Sequence, residues 1–255
     1  MKKSLLCALL IALTLCHANA HDHIEVGINP SNPNQLFLDG PATQTALLVP
    51  RGEPFSSYLP QFPGGFYANE LTFTTEVNGI AFAEGSLPRV EVLSVQGPAG
   101  CRFSFWEVGA TAPTWSRDTF WAASVSDRPG FEVYEDGTGY GHIHGRAFCF
   151  DKPGTYQVTL RVVDDAGVRL PSAPMVLTFE ALHPPPLTIS AVGTTIRLGF
   201  QSRANLVYDV QRSTDLTSGV WTTIGDPLDG TGANLEFSDP LSNRPRVFYR
   251  IVEYR

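Results

Sequence analysis

Four of the six histidines in this 255-residue chain stand in two His-x-His pairs, His21-Asp22-His23 and His142-Ile143-His144. Imidazole nitrogen suits borderline divalent metals, and Zn²⁺ takes about four N, O or S ligands in a tetrahedron. In an extended strand, residues i and i+2 project from one face, so each pair would set two rings side by side. Glu25 has the parity of the first pair. Two imidazoles from one strand and one or two from another would make a zinc cage, and a nitrogen-rich cluster does not suit Ca²⁺ or Mg²⁺. The neutral rings bind, so affinity would fall as pH drops through the histidine range. Arg146 continues the parity of the second pair, and a salt bridge is its expected role.

The first pair depends on how the chain begins. Lys2 and Lys3 precede the apolar run "LLCALLIALTLC", and Ala18-Asn19-Ala20 is a small-x-small cleavage site, so residues 1–20 read as a signal peptide cut after Ala20. The mature protein is expected to be secreted or periplasmic. Leu15 before Cys16 argues against a lipoprotein, where a small residue is usual. With His21 at the terminus, its amine, two backbone amides and the His23 ring offer a square-planar site for Cu²⁺ or Ni²⁺. His21 could instead hold copper with its amine and its own ring.

Strands must position these groups. "QLFLDG", "ELTFTTEV", "RVEVLSVQGP", "CRFSFWEVG", "FEVYEDG", "TYQVTLRVVDDAG" and "PMVLTFEAL" alternate with period 2 and close on Gly, Pro or Asp. The expected class is all-β: an antiparallel β-sandwich domain over 21–182 and a second, smaller β-sandwich module over 188–255. Three prolines in "HPPPL" predict an extended linker at 183–187. Gln44 to Tyr67 is Pro-rich and reads as a long surface loop over a site. Tyr208, Trp221, Phe248 and Tyr249 are expected as core or edge aromatics of the second module.

Without the leader the chain keeps 16 basic against 25 acidic residues, a formal charge of −9. Such a surface repels phosphate backbones, so nucleic acid is not an expected partner. Beyond the leader no apolar run has the length a bilayer needs. Cys7 and Cys16 leave with the leader; Cys101 and Cys149 remain as an even pair outside the cytoplasm, where a disulfide between them is expected.

His23-Ile24-Glu25 and the later "HIHGRAFCFDKPGTYQVTLRV" together resemble the choice-of-anchor M domain of actinobacterial cell-wall proteins. That family opens on a His-x-acidic strand and closes on His-x-His, a Phe-containing strand, a Pro-Gly turn and a Tyr-led strand. "LSVQGPAGCRFSFWEVG" is similar to its middle. The family usually has Asn-Trp where this chain has Arg146-Ala147. The resemblance implies His23, His142 and His144 as metal ligands, with Glu25 as a fourth ligand or a partner to a ring N–H. It also implies manganese besides zinc, and a partner in a metal transport system or the cell envelope. "YDVQRSTDLTSGVWTTIG" and "FYRIVEY" are similar to small fibronectin-like modules at the ends of exported bacterial proteins.

The leading expectation is an exported protein that captures or displays a divalent metal, zinc above copper or manganese. The alternatives are a metal-dependent enzyme, hydrolase or copper oxidase, and a structural adhesin with incidental histidines. No H-E-x-x-H or Gly-x-Ser-x-Gly accompanies the histidines, which places catalysis second. A cupin ranks lower, because its ligand Glu is missing after His144.

Overall fold

The computed structural model describes residues 23–53, 62–75, 82, 85–133, 141–240 and 246–254, without the side chains of 142, 144 and 145. The proposed leader and His21 lie outside the described residues. Among the described residues every element is a strand. Those of the N-terminal sandwich are β1 (His23–Ile28), β2 (Leu36–Asp39), β3 (Thr43–Val49), β4 (Phe66–Thr74), β5 (Pro88–Gln96) and β6 (Arg102–Trp106). After them come β7 (Trp115–Asp118), β8 (Trp121–Ala122), β9 (Gly130–Glu132), β10 (His142–Phe150), β11 (Gly154–Asp164) and β12 (Met175–Leu182). No helix among the described residues is long and apolar enough to cross a membrane.

These strands form one hydrogen-bonded sheet, ordered β7-β6-β10-β4-β3-β12-β11-β5-β8, with β1 on β4, β2 on β1 and β9 on β5. It folds on itself at β3. Leu47 to Val49 pair with β4, while Thr43 to Leu47 pair with β12, so one strand passes from layer to layer. Alternation then buries one side chain in two on each layer. Phe73, Phe103, Phe105 and Phe148 from one layer meet Val92, Val158, Leu177 and Phe179 from the other. The expected antiparallel arrangement holds for most pairs, but β1 on β4 and β3 on β12 are parallel.

The span expected as a loop from Gln44 to Tyr67 holds all but the first residue of β3, a central strand, and the start of β4. Its apolar residues Ala46, Leu47 and Val49 are buried, and the prolines that suggested a loop begin only at Pro50. Past the residues left undescribed, the chain returns at Phe62, which is 4% exposed. Its ring stands edge-on to Trp106 at 5.0 Å, over a small apolar patch of Val49, Ala68, Ala147 and Cys149 on the outer side of the sheet.

The C-terminal sandwich has two small sheets. One orders β13 (Thr188–Val192), β14 (Thr195–Gln201) and β18 (Asn234–Pro240); in the other, β15 (Val207–Ser213) pairs with β16 (Thr222–Thr223), β17 (Leu228–Asp229) and β19 (Phe248–Tyr254). Leu198, Phe200, Tyr208, Val210 and Ile251 fill the space between them, with Tyr249 packed alongside. Leu47 of the first sandwich completes that cluster. Glu53 accepts hydrogen bonds from Arg250 at 2.9 Å and Gln211 at 3.2 Å, and Arg203 donates to the His183 carbonyl at 2.5 Å. The segment around the three prolines is therefore pinned between two touching bodies. Relative motion is the default between domains unless their interface is apolar and extensive, and this joint has both an apolar plug and an ion pair.

Candidate functional site

β4 is the strand that relates the two histidine segments. His23 lies across from Thr72 and Glu25 across from Thr74 on one side, and His142 lies across from Thr74 on the other. The backbone therefore brings the two segments to one end of one strand, although they are more than 110 positions apart in sequence. Within β1, Ile24 and Val26 take the core positions and Glu25 is exposed. The side chains of His142 and His144, and all of His21, lie outside the described residues.

Among the described residues no three His, Cys, Asp or Glu side chains form a group that could hold a metal ion. This overturns the expectation of a protein that captures or displays a divalent metal. The parity expected to run on from the pair to Arg146 is broken for a local reason. A bulge between Ile143 and Arg146 shifts the register against β4, and one extra residue reverses which face every later side chain takes. Ile143 enters the main core before the bulge, and Phe148 and Phe150 enter it after. Arg146 lies 4.0 Å from Glu107, the expected salt bridge, with its guanidinium 5.2 Å above the Phe131 ring.

The expected disulfide is also absent: Cys101 and Cys149 are both buried free thiols. Cys101 belongs to the main core, with Phe103 and Phe105. Cys149 alternates with Phe148 and Phe150 and so points to the other side, into the patch under Phe62. The sheet itself separates the two sulfurs. Burial pushes the Cys149 thiol well above its ordinary pKa, so it stays protonated and unreactive.

The most unusual charged group of the described surface was not singled out by sequence. Glu91, on β5, is fully buried although it lies on the outer side of the sheet, opposite Val90 and Val92. Three guanidiniums cover it. Arg161 Nε of β11 donates to Oε2 at 2.6 Å; Arg128 Nε and Arg89 Nη2 stand 3.7 and 3.9 Å from Oε1. Oε1 itself has no hydrogen bond among the described residues. Arg89 is otherwise committed to Asp165, with donors at 2.8 and 3.3 Å. Gly130 pairs with Glu91, and a Cβ there would collide with the Val90 carbonyl and the Arg89 guanidinium, so glycine lets β9 close over the carboxylate. The available signal was the "RVEV" alternation, which puts Arg89 and Glu91 on one face; it could not reveal that Arg161 and Arg128 converge there.

Near the other end of β5, Phe120 adopts φ +68° and is 64% exposed. A bulky residue in the left-handed region costs about 1–3 kcal/mol and persists only where its neighbours over-determine it. Here they do: Phe120 N donates to the Val95 carbonyl at 2.8 Å and Thr119 N to that of Cys101 at 2.9 Å. Thr119 Oγ1 donates to the Pro98 carbonyl at 2.8 Å. Next to it, Trp121 Nε1 donates to Asp127 at 2.9 Å, and Arg117 sits 5.3 Å over the Trp121 ring. Arg117 also donates to the Asp127 carboxylate and, with Trp121, lowers its pKa.

No protein-family model matches the chain, and no curated protein is detectably similar to it.

Proposed function

We propose that the chain is an exported structural protein of the cell envelope, an adhesin that attaches through its β surfaces and holds its N-terminal sandwich rigidly on its C-terminal one. The observation that carries this reading is the joint: Leu47 sits in the core of the second sandwich, and Glu53 pairs with Arg250 across the boundary. Filled by apolar and ion-paired groups, this boundary acts as a mechanical coupling that transmits load from one body to the other. Long ladders support the same reading, because β5 and β11 are paired from Gln96 to Pro88 and shearing them breaks many hydrogen bonds together. The leader expected over residues 1–20 would deliver the chain to that location. The resemblance to surface-anchored and fibronectin-like modules points the same way.

The test is co-sedimentation of the purified processed protein with isolated envelopes of the producing cells. Binding should saturate and leave the envelope polymers chemically intact. Protein that stays wholly in the supernatant at every envelope concentration rules the reading out.

A further inference from the structure

We infer that β13 is a dimerisation strand: its free edge pairs antiparallel with the same edge of a second copy of this chain, about a two-fold axis through Ser190. The inference goes beyond the adhesin reading and does not rest on it.

Every open sheet ends in strands whose outer N–H and C=O groups lack a partner, and proteins blunt such edges with charge, proline, shortness or a cover. Among the described residues the other edges of this chain are blunted. β8, β9, β16 and β17 are only two or three residues long. β7 carries Arg117 and Asp118, and β19 carries Arg250 and Glu253. The edge of β2 is covered where Leu36 N donates to the Leu170 carbonyl at 2.9 Å. β18, at the far side of the sheet that holds β13, carries Glu236 and Asp239 and ends on Pro240. β13 has none of these devices. Thr188-Ile189-Ser190-Ala191-Val192 is free of charge, proline and glycine, pairs only with β14 among the described residues, and is exposed at all five positions.

The turn into β14 fixes what that edge offers. Only Gly193 and Thr194 separate Val192 from its partner Thr195, and a two-residue hairpin makes the flanking residues a hydrogen-bonded pair. Alternation then turns the N–H and C=O of Thr188, Ser190 and Val192 toward β14, and those of Ile189 and Ala191 outward. The side chains of Ile189 and Ala191 take the core face, since Ile189 lies across from Leu198, which is 1% exposed. Ile189 is nonetheless 55% exposed. The apolar floor of the sandwich therefore runs out past the sheet that covers it.

A second copy fits this edge in one register. With Ser190 on the axis, Ile189 lies across from the copy's Ala191 and Thr188 across from its Val192. That register engages every outward N–H and C=O of both strands. It also sets a large apolar side chain beside a small one on the core face, which joins the two apolar floors. Charge points to the same partner. Two copies of a chain with net charge −7 repel over most of their surface, whereas β13 is neutral. The one charged residue of β14, Arg197 across from Ser190, meets its copy three strand spacings away, about 14 Å and beyond the Debye length at physiological salt. A closed two-fold pairing consumes both edges, so association stops at the dimer. Five residues a side is well under the roughly 20–30 of a standard interface. The contact is transient in dilute solution and strong only where copies are held close together.

The experiment is sedimentation equilibrium of the full processed chain from about 10 µM to about 1 mM, the range of a weak interface. A monomer–dimer equilibrium with no larger species is expected. Ala191→Pro removes an outward N–H that β14 does not use, so the fold should hold and the dimer should weaken at least about tenfold. Ile189→Lys places a charge on the edge and should weaken it as far, with circular dichroism unchanged. Val125, 90% exposed in the first sandwich, is the control, and Val125→Lys should associate as the parent does. Oxidative cross-linking reads the register. Ser190→Cys should give a disulfide-linked dimer, and Thr188→Cys should not, because its copy lies four residues along the ladder, about 14 Å away. The native Cys101 and Cys149 are buried and do not compete. A monomer throughout the range, or parental association by Ala191→Pro or Ile189→Lys, overturns the site. Species beyond the dimer, or equal cross-linking by Thr188→Cys, overturn the two-fold pairing.

Discussion

The N-terminal sandwich closes on rings drawn from both of its layers, Phe148 against Phe179 at 5.5 Å and Phe105 against Phe131 at 4.9 Å. The C-terminal sandwich has a smaller core, in which Phe200 and Tyr208 meet at 5.0 Å and Leu47 is supplied from outside. The second body also relies on polar ties. Arg203 donates twice to Glu253, at 2.7 and 2.8 Å, and its backbone N–H donates to the Tyr208 hydroxyl at 2.7 Å. Desolvation raises the pKa of Glu253 despite its arginine, so this tie stabilises less than its geometry suggests. A module of this size buries too little surface to be robust alone. The difference teaches that the first sandwich is a self-sufficient support and the second is partly built on it.

The largest expected effect breaks the stronger partner. Phe148→Ala removes a fully buried ring that touches Phe73, Phe103, Phe105, Phe131 and Phe179. It should cost about 3–5 kcal/mol in urea unfolding. Because the second sandwich leans on the first, both should unfold in one transition at the lower midpoint. A C-terminal sandwich that survives unchanged past the loss of the first would refute the dependence.

Leu47→Ala attacks the dependence directly and should cost about 2 kcal/mol, the low end for a buried leucine, since Leu47 keeps a little exposure. The loss should fall mainly on the C-terminal side. Hydrogen exchange at β14 and β15 should accelerate more than exchange at β5 and β11. Uniform acceleration would place Leu47 in the first core alone.

Sequence made part of this comparison legible. Period-2 runs such as Tyr156-Gln157-Val158-Thr159-Leu160 report strands whose one face is buried, and the structure buries Tyr156, Val158 and Leu160. β7 and β8 were not legible, because Trp115–Asp118 and Trp121–Ala122 are too short to show a period. The bulge at Ile143/Arg146 was invisible for a related reason, since one inserted residue looks like ordinary sequence until the partner strand is known. The cover over Glu91 failed to appear because its arginines come from three separate segments. Arg89, Arg128 and Arg161 each look like single exposed cations until pairing joins them at Glu91.

A smaller effect separates the bodies by pH. Burial would raise the Asp164 carboxyl, but hydrogen bonds from Leu87 N, Ser86 Oγ, Ala166 N and Arg169 N outweigh it and hold the pKa below the ordinary value. A depressed folded pKa contributes stability above the unfolded value of about 3.9, and that contribution is lost as pH falls through the folded value. Asp164→Asn should cost about 1 kcal/mol at neutral pH and flatten the acid limb of the stability curve. Glu253 has the opposite sign: its raised pKa favours the folded state less as pH rises through the carboxylate range. Hydrogen exchange across that range should therefore show the first sandwich weakening in acid before the second. Simultaneous weakening would remove the distinction.

The smallest expected effect is none. Cys101 and Cys149 lie on opposite sides of the same sheet, in separate clusters, so no rotation of either side chain brings the sulfurs together without tearing β10 from β6, where Cys149 pairs with Ser104. A reducing agent should leave the unfolding midpoint of the processed chain unchanged. Alkylation should label neither thiol in the folded protein and both after denaturation, since both are buried out of the reagent's reach. A midpoint that falls under reductant would require a bond between the two sulfurs, and with it a different path for the chain through the centre of the first sandwich. Because Phe148 and Phe150 flank Cys149 and face the other way, such a result would also undo the ring packing on which the first sandwich is argued to stand alone.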